Sequence, residues 1–180
     1  MTEITIITGS LPERREMLAE CIQSVADQTV SPAAHLINVD WSRRGTVATY
    51  NQIGAQVQTE WMMCLADDDL LDPHHLETVS AAVQDPEVDV VSTYCRSTGD
   101  GYDGYNQPFS HDLLQKESIV AGTALVRTAL WQEIGGLPEG WAHDWFFWRW
   151  LSEKGAHFIT LPEVTWTYRF HGHNLSREGV

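Results

Sequence analysis

The run CLADDDLLDP, Cys64 to Pro73, places three carboxylates in succession, Asp67, Asp68 and Asp69, directly after the apolar segment WMMCLA. Adjacent carboxylates at the mouth of a low-dielectric crevice repel one another, and each is pushed towards its neutral form unless a cation or strong donors stand nearby. A divalent ion removes that penalty. All-oxygen ligation suits Mg²⁺ or Mn²⁺, and Mg²⁺ is usually held by one or two carboxylates together with the phosphates of a substrate. The same three residues also suit a solvated turn leading into a helix near Pro73, where Asp is a favoured residue type. The two histidines of HGH, His171 and His173, suggest zinc less well, because no acid or cysteine accompanies them at zinc-like spacing.

The elements around the triplet decide where it would stand. ITIIT (Ile4 to Thr8) reads as a short β-branched strand, and Met17, Leu18, Cys21, Ile22 and Val25 recur behind it at helical spacing. The alternation continues with HLINV (His35 to Val39) as a strand, VATYNQIGAQVQ (Val47 to Gln58) as a helix, WMMCLA as a strand, PHHLETVSAAVQ (Pro73 to Gln84) as a helix and VDVVSTY (Val88 to Tyr94) as a strand. This rhythm predicts a single α/β domain, Rossmann-like, with a mostly parallel central sheet whose crevice lies at the carboxyl ends of the strands. The triplet falls at such an end. Residues 96–118, rich in Gly, Ser, Asp and Tyr, read as a long loop of the kind that serves as a mobile lid. Beyond it come IVAGTALV (Ile119 to Val126), a short helix near Leu130 to Ile134, a Trp-rich helix from Trp141 to Gly155, and strands near His157 to Leu161 and Thr165 to Arg169. Large aromatics on such a helix are more often core than ligand platform, with Trp141 the exception expected to face a ligand.

Composition narrows the partners. With 180 residues, 43% of them hydrophobic, the chain can bury a sizeable core, and its formal net charge of −14 disfavours a broad nucleic-acid or anionic-lipid surface. No apolar stretch approaches the roughly 20 residues a bilayer span needs, and MTEITIITGS lacks the features of a signal peptide, so a cytoplasmic location is expected. Cys21, Cys64 and Cys95 are odd in number and widely separated, which predicts reduced structural thiols.

Taken together, three stretches resemble a family 2 glycosyltransferase of the GT-A fold. ITIITGSLPERREMLAECIQSVADQT resembles that family's opening strand, turn and helix; HLINVDWSRRGT resembles its second strand with the nucleotide-contacting acid; YNQIGAQVQTEWMMCLADDDLLDP resembles its run from helix to metal-binding DxD loop. The C-terminal half resembles the family's acceptor half, with a Gly-Gly turn at Gly135 and Gly136, an acid before a tryptophan, and a terminal Tyr-Arg-x-His-x-x-Asn-x-Ser.

The resemblance implies a division into a nucleotide-sugar-binding half (about 1–95), the loop, and an acceptor half (about 119–180). It implies that a nucleoside-diphosphate sugar lies with its base and ribose near Thr8 and Asp40. Trp41 stands where a second acid is usual. It implies a divalent ion, Mn²⁺ or Mg²⁺, at Asp68 first, with Asp69 and with His171 reaching back from the tail, while Asp67 and Arg169 lie beside the diphosphate. Ala66 replaces the first acid of the usual motif. Arg43 and Arg44 follow the second strand, where paired donors suit a diphosphate, although exposed arginines beside a turn are usually only solvated. Asp144, preceded by His143 where Glu is usual, falls on the general base of inverting members. The implied reaction is hexosyltransferase-like: Asp144 takes the proton of an acceptor hydroxyl, which attacks the anomeric carbon in one displacement with inversion. Two other readings stay open at this point, a nucleotidyltransferase and a non-catalytic sugar-nucleotide-binding module, the latter motivated by Ala66 and His143.

Overall fold

The computed structural model describes residues 2–98, 104–140, 143–171 and 174; Trp141, His173 and the centre of the expected lid, 99–103, lie outside the described residues. The chain runs β1 (Ile4–Ser10), a 3₁₀ turn (Pro12–Arg14), α1 (Arg15–Ala26), β2 (Ala34–Val39), α2 (Thr46–Gly54), β3 (Trp61–Cys64), β4 (Leu70–Leu71), α3 (His75–Ala82), β5 (Val90–Thr98), α4 (His111–Leu114), β6 (Leu125–Arg127), α5 (Thr128–Ile134), α6 (His143–Glu153) and β7 (Phe158–Arg169).

These strands form one seven-stranded sheet in the order β2-β1-β3-β6-β5-β7-β4. The α/β expectation holds, but the sheet is mixed rather than mostly parallel. β1 pairs in parallel with β2 and β3, and β5 with β7, whereas β6 is antiparallel to both β3 and β5, and β4 is antiparallel to β7. The reason is visible in β6. Leu125 and Val126 are buried on opposite faces, so the segment reads as an unbroken apolar run, and such a run carries no information about strand direction. The sequence also divides β7 in two around Pro162. In the structure it is one strand whose register against β5 slips between Thr93 and Cys95, and Pro162 sits beside that irregularity, where a missing N–H costs least.

Side-chain alternation on the strands builds two cores. Ile7, Met62, Val90 and Val126 pack with Tyr50, Trp131, Phe147, Trp148 and Leu151 from α2, α5 and α6. Ile6, Met63, Val91 and Leu125 pack with Cys21, Val25, Leu76 and Val79 from α1 and α3 on the other face. The Trp-rich helix therefore spends Phe147, Trp148 and Leu151 on the core. Cys21, Cys64 and Cys95 are free thiols, and burial pushes Cys21 and Cys64 far above the range in which a thiolate forms.

The Gly-Gly turn closes α5. Gly135 takes the left-handed cap at φ 84°, and Gly136 at φ 96° passes so close to Asn51 that a Cβ would lie 2.2 Å from Asn51 Oδ1. That approach lets Asn51 clamp Leu137, accepting from its N–H (2.7 Å) and donating to its carbonyl (2.9 Å), which ties α2 to the approach of α6. Flanking 99–103, Asn106 clamps Cys95 in the same way at 2.7 and 2.8 Å, and Phe109 stacks on Phe158.

Beneath β7, His75 is buried with Nδ1 2.7 Å from Thr165 Oγ1, and its Nε2 has no hydrogen-bond partner among the described residues. Burial pushes its imidazole down to about 4 from the ordinary 6.5. A depressed imidazole favours the neutral folded form, so its contribution to stability is complete above the unfolded value and is lost as pH falls from 6.5 towards 4. The expected loss by about pH 4.5 is about 2 to 3 kcal/mol. Urea titrations of the parent and His75→Gln at neutral pH and about pH 4.5 test this; equal pH slopes in the two proteins would remove His75 as the cause.

Candidate active site

The parallel register of β1, β2 and β3 brings three chain exits to one place. Ser10 ends β1, the N–H of Asp40 donates to the Ser10 carbonyl (2.8 Å) as the chain leaves β2, and Ser10 Oγ donates to Asp67 Oδ2 (2.6 Å) beyond β3. A cleft of about 1420 Å³ opens there, lined among others by Asp40, Asp67, Asp68, Asp69, Asp144 and His171. Seven of the ten sequence-predicted site residues thus line one cavity, Arg43 among them.

The acidic loop is held from several sides. Arg14 Nη1 donates to Asp67 Oδ1 (2.7 Å) and Asp68 Oδ2 (3.2 Å), and His171 Nε2 lies 3.0 Å from the same Asp68 Oδ2. The Arg169 N–H donates to Asp69 Oδ1 (3.0 Å), while its guanidinium donates to the Asp68 carbonyl and to Glu20. Burial is the main cause that raises the carboxyls of Asp67 and Asp69 above the usual range; Ser10 and Arg14 oppose it at Asp67, and the Asp68 charge adds to it at Asp69. Asp40 goes the other way, lowered first by the Arg44 backbone N–H and then by the Gly45 N–H, which donates to Oδ2 at 2.8 Å. The loop that delivers those N–H groups needs Arg43 at φ 55° and Gly45 at φ 95°.

Other expected residues stand elsewhere. Thr8 is fully buried in β1 with Oγ1 2.9 Å from His35 Nε2 and does not line the cleft; Ser10, two residues on along the same face, is the β1 hydroxyl that reaches the acidic loop. Arg43 is held by both oxygens of Glu13 (2.8 and 3.0 Å), and Arg44 by Gln52, with Nε 3.8 Å from Asp40. Arg169 braces the loop from behind. Trp41 is 76% exposed, outside the lining. Sequence reasoning missed Arg14 and Ser10. The available signal was position: Ser10 ends β1 and Arg14 follows it, at the same sheet end as the triplet.

Across the cleft, Asp144 stands in the first turn of α6, and its Oδ1 accepts the N–H of Trp145 (2.8 Å). A Cβ built on Gly122 would lie 3.8 Å from Asp144 Oδ2, so the glycine leaves that oxygen open towards the cleft that both residues line.

The donor set fits a divalent ion of a limited kind. Both Asp67 oxygens and one of Asp69 are engaged by protein donors, and the described residues contain no group of three or more acids, histidines or cysteines placed to enclose an ion. Asp68 Oδ2 and His171 Nε2, 3.0 Å apart, match neighbouring positions on an octahedral ion with bonds of about 2.1 Å. An ion held by these two residues alone would need its other ligands from phosphate oxygens and water.

No family model and no curated protein matches the chain. Solved structures do. Residues 1–349 of TarS from S. aureus, in complex with UDP-GlcNAc, superpose with a TM-score of 0.77 at 15% identity over 99% of this chain and 62% of that one. The mannosyltransferase PcManGT from Pyrobaculum calidifontis, in complex with GDP-Man and Mn²⁺, gives 0.75 at 18% identity over 96% of this chain and 58% of that one. The fold is that of GT-A glycosyltransferases. The GT-A chain described here spans about six-tenths of the length of these structures. Among the described residues no helix is long and apolar enough to cross a membrane.

Proposed function

We propose that this chain is a metal-dependent glycosyltransferase that moves a sugar from a nucleoside-diphosphate sugar to an acceptor hydroxyl with inversion, in the cytoplasm. The observation that carries the reading is the presence, in one cleft, of Asp68 and His171 side by side and of a separate carboxylate, Asp144, on another element. The likeness to structures holding UDP-GlcNAc and GDP-Man supports the donor class.

Asp40 holds the loop between β2 and α2 against the cleft, where the base and ribose of the donor would lie. Asp68 and His171 would hold Mn²⁺ or Mg²⁺, which when bound supplies positive charge against the leaving diphosphate. Asp67, fixed by Ser10, keeps the loop at the diphosphate without itself needing to ligate. Asp144 Oδ2 accepts the acceptor's hydroxyl proton as that oxygen attacks the anomeric carbon; the broken bond leaves its electrons on the nucleoside diphosphate.

The test is a melting-temperature screen with UDP-GlcNAc and GDP-Man, each with and without Mn²⁺, followed by assay of the released nucleotide. A rise that requires both donor and ion, with a nucleoside diphosphate released on turnover, is expected. Pyrophosphate release would instead mark nucleotidyl transfer, and donor binding with no turnover on a broad acceptor panel would mark a binding module.

A further inference from the structure

Side chains fasten α4 to α6. Trp145 Nε1 donates to the Leu114 carbonyl (2.7 Å), Arg149 Nε donates to Gln115 Oε1 (3.0 Å), and His111 Nδ1 lies 2.7 Å from Ser152 Oγ. The chain that leaves α4 then reaches Gly122, whose Cβ position faces Asp144 Oδ2. Lys116 and Glu117 lie on that stretch, and both line the cleft together with Asp144 and Trp145. We propose that Trp145, Lys116 and Glu117 form the acceptor subsite and that it takes the ring of a neutral sugar, so that the acceptor is a carbohydrate. The inference rests on the transfer reading above.

Trp145 offers a ring and little else. It is half-buried and packs in part on the core, yet it also lines the cleft, and its one polar side-chain atom is taken by Leu114. Arg149, 5.7 Å from the ring centre and itself held by Gln115, braces it from the same helix. The ring is thus placed before any ligand comes, and a ligand does not have to order it. Lys116 and Glu117 are the reverse: both are exposed, and neither side chain has a hydrogen-bond or ion-pair partner among the described residues. The other basic side chains of the wall, Arg14 and Arg43, are held by carboxylates.

A sugar ring matches this combination. Its C–H face stacks on an indole, and its rim of hydroxyls both donates and accepts. Glu117 only accepts and Lys116 only donates, so the neighbouring pair can serve both halves of a hydroxyl rim. Other acceptors fit less well. The two charges are opposite and adjacent, so they confer no preference for an anionic acceptor. An alkyl alcohol covering them would strip their water and return no hydrogen bond.

The experiment follows release of UDP or GDP from UDP-GlcNAc or GDP-Man with Mn²⁺. The acceptors added are neutral oligosaccharides of glucose, mannose or N-acetylglucosamine, a Ser/Thr peptide, and decanol. Only an oligosaccharide is expected to raise release above the rate with donor alone. With that oligosaccharide, Trp145→Ala is expected to raise acceptor KM about tenfold, the scale of one stacked aromatic contact. Trp145→Phe, which keeps a ring but loses the bond to Leu114, should fall between the parent and Ala. The double variant Lys116→Ala, Glu117→Gln changes exposed side chains that the fold does not need, and should raise the same KM severalfold. Donor affinity, read by calorimetry with Mn²⁺, should stay level in all of them, which a strut for the whole cleft would not allow. Unchanged acceptor KM in both Trp145→Ala and the double variant overturns the subsite; if Trp145→Ala does not fold, Trp145→Phe takes its place. Stimulation by the peptide or decanol and by no oligosaccharide overturns the carbohydrate assignment. A parent protein whose release no probe raises removes the transfer reading itself, an outcome distinct from any failure of the variants.

Discussion

Asp68→Asn is expected to lose the Mn²⁺-dependent part of donor binding, with ion affinity in the donor complex falling by about 100-fold or more, while the ligand-free protein stays folded. Losing even an outer partner of a metal ligand costs about 10 to 100-fold, and Asp68 is proposed as one of only two direct protein ligands. The Asn side chain keeps the shape and can still accept from Arg14, but it is a far weaker partner for a hard cation than a carboxylate. Stability should respond differently from binding. The Asp68 charge is among the causes that raise the carboxyls of Asp67 and Asp69, so a neutral side chain relieves repulsion inside the loop and offsets the weakened ties to Arg14 and His171. The ligand-free melting temperature should therefore hardly fall. Melting curves with UDP-GlcNAc or GDP-Man, with and without Mn²⁺, read both effects at once. Unchanged Mn²⁺ dependence would move the ion elsewhere, and a collapse of the ligand-free protein would make Asp68 a structural acid.

That separation depends on how differently the two sides of the loop could be read from sequence. The strand-helix alternation up to β5 follows from local period, and it places the triplet at a strand end without knowledge of any contact. Direction and pairing are non-local. β6 has three residues and β4 only two, so neither length nor pattern shows that both run antiparallel to their neighbours. The same divide runs through the site. Asp68 and His171 are 103 positions apart and meet because β7, pairing with β4, carries the tail back to the loop. Only the resemblance pointed to that pair. Arg14 sits in a charged run, PERRE, that locally looks like a helix start, and nothing in its neighbours says it turns into the cleft. Thr8 shows the opposite case. Its residue type and strand suit the site, but its hydroxyl is fully buried against His35, and Ser10 is the β1 hydroxyl that reaches the acidic loop.

Asp144→Asn is expected to leave donor affinity and melting temperature nearly intact while transfer at saturating donor falls by about 100-fold or more, the usual scale for loss of a general base. The structure gives Asp144 two oxygens with different surroundings. Oδ1 accepts the Trp145 N–H at the start of α6, a structural role that an Asn carbonyl fills almost equally well, so the helix should hold. Oδ2 lies by Gly122 on the cleft side, and in the variant an amide nitrogen occupies that position, unable to accept a proton. Asp144 shows no hydrogen bond to Asp68 or His171 among the described residues, so ion binding should not sense the change. Gly122→Ala offers an independent check. A methyl group there would meet Oδ2 at 3.8 Å, ordinary van der Waals contact that the fold tolerates, yet under the proposed role of Asp144 it would stand where an acceptor hydroxyl approaches. Its effect should therefore appear in acceptor KM, leaving donor affinity alone. Normal turnover in Asp144→Asn would remove this carboxylate from the chemistry, and loss of donor binding would assign it to the diphosphate side of the cleft.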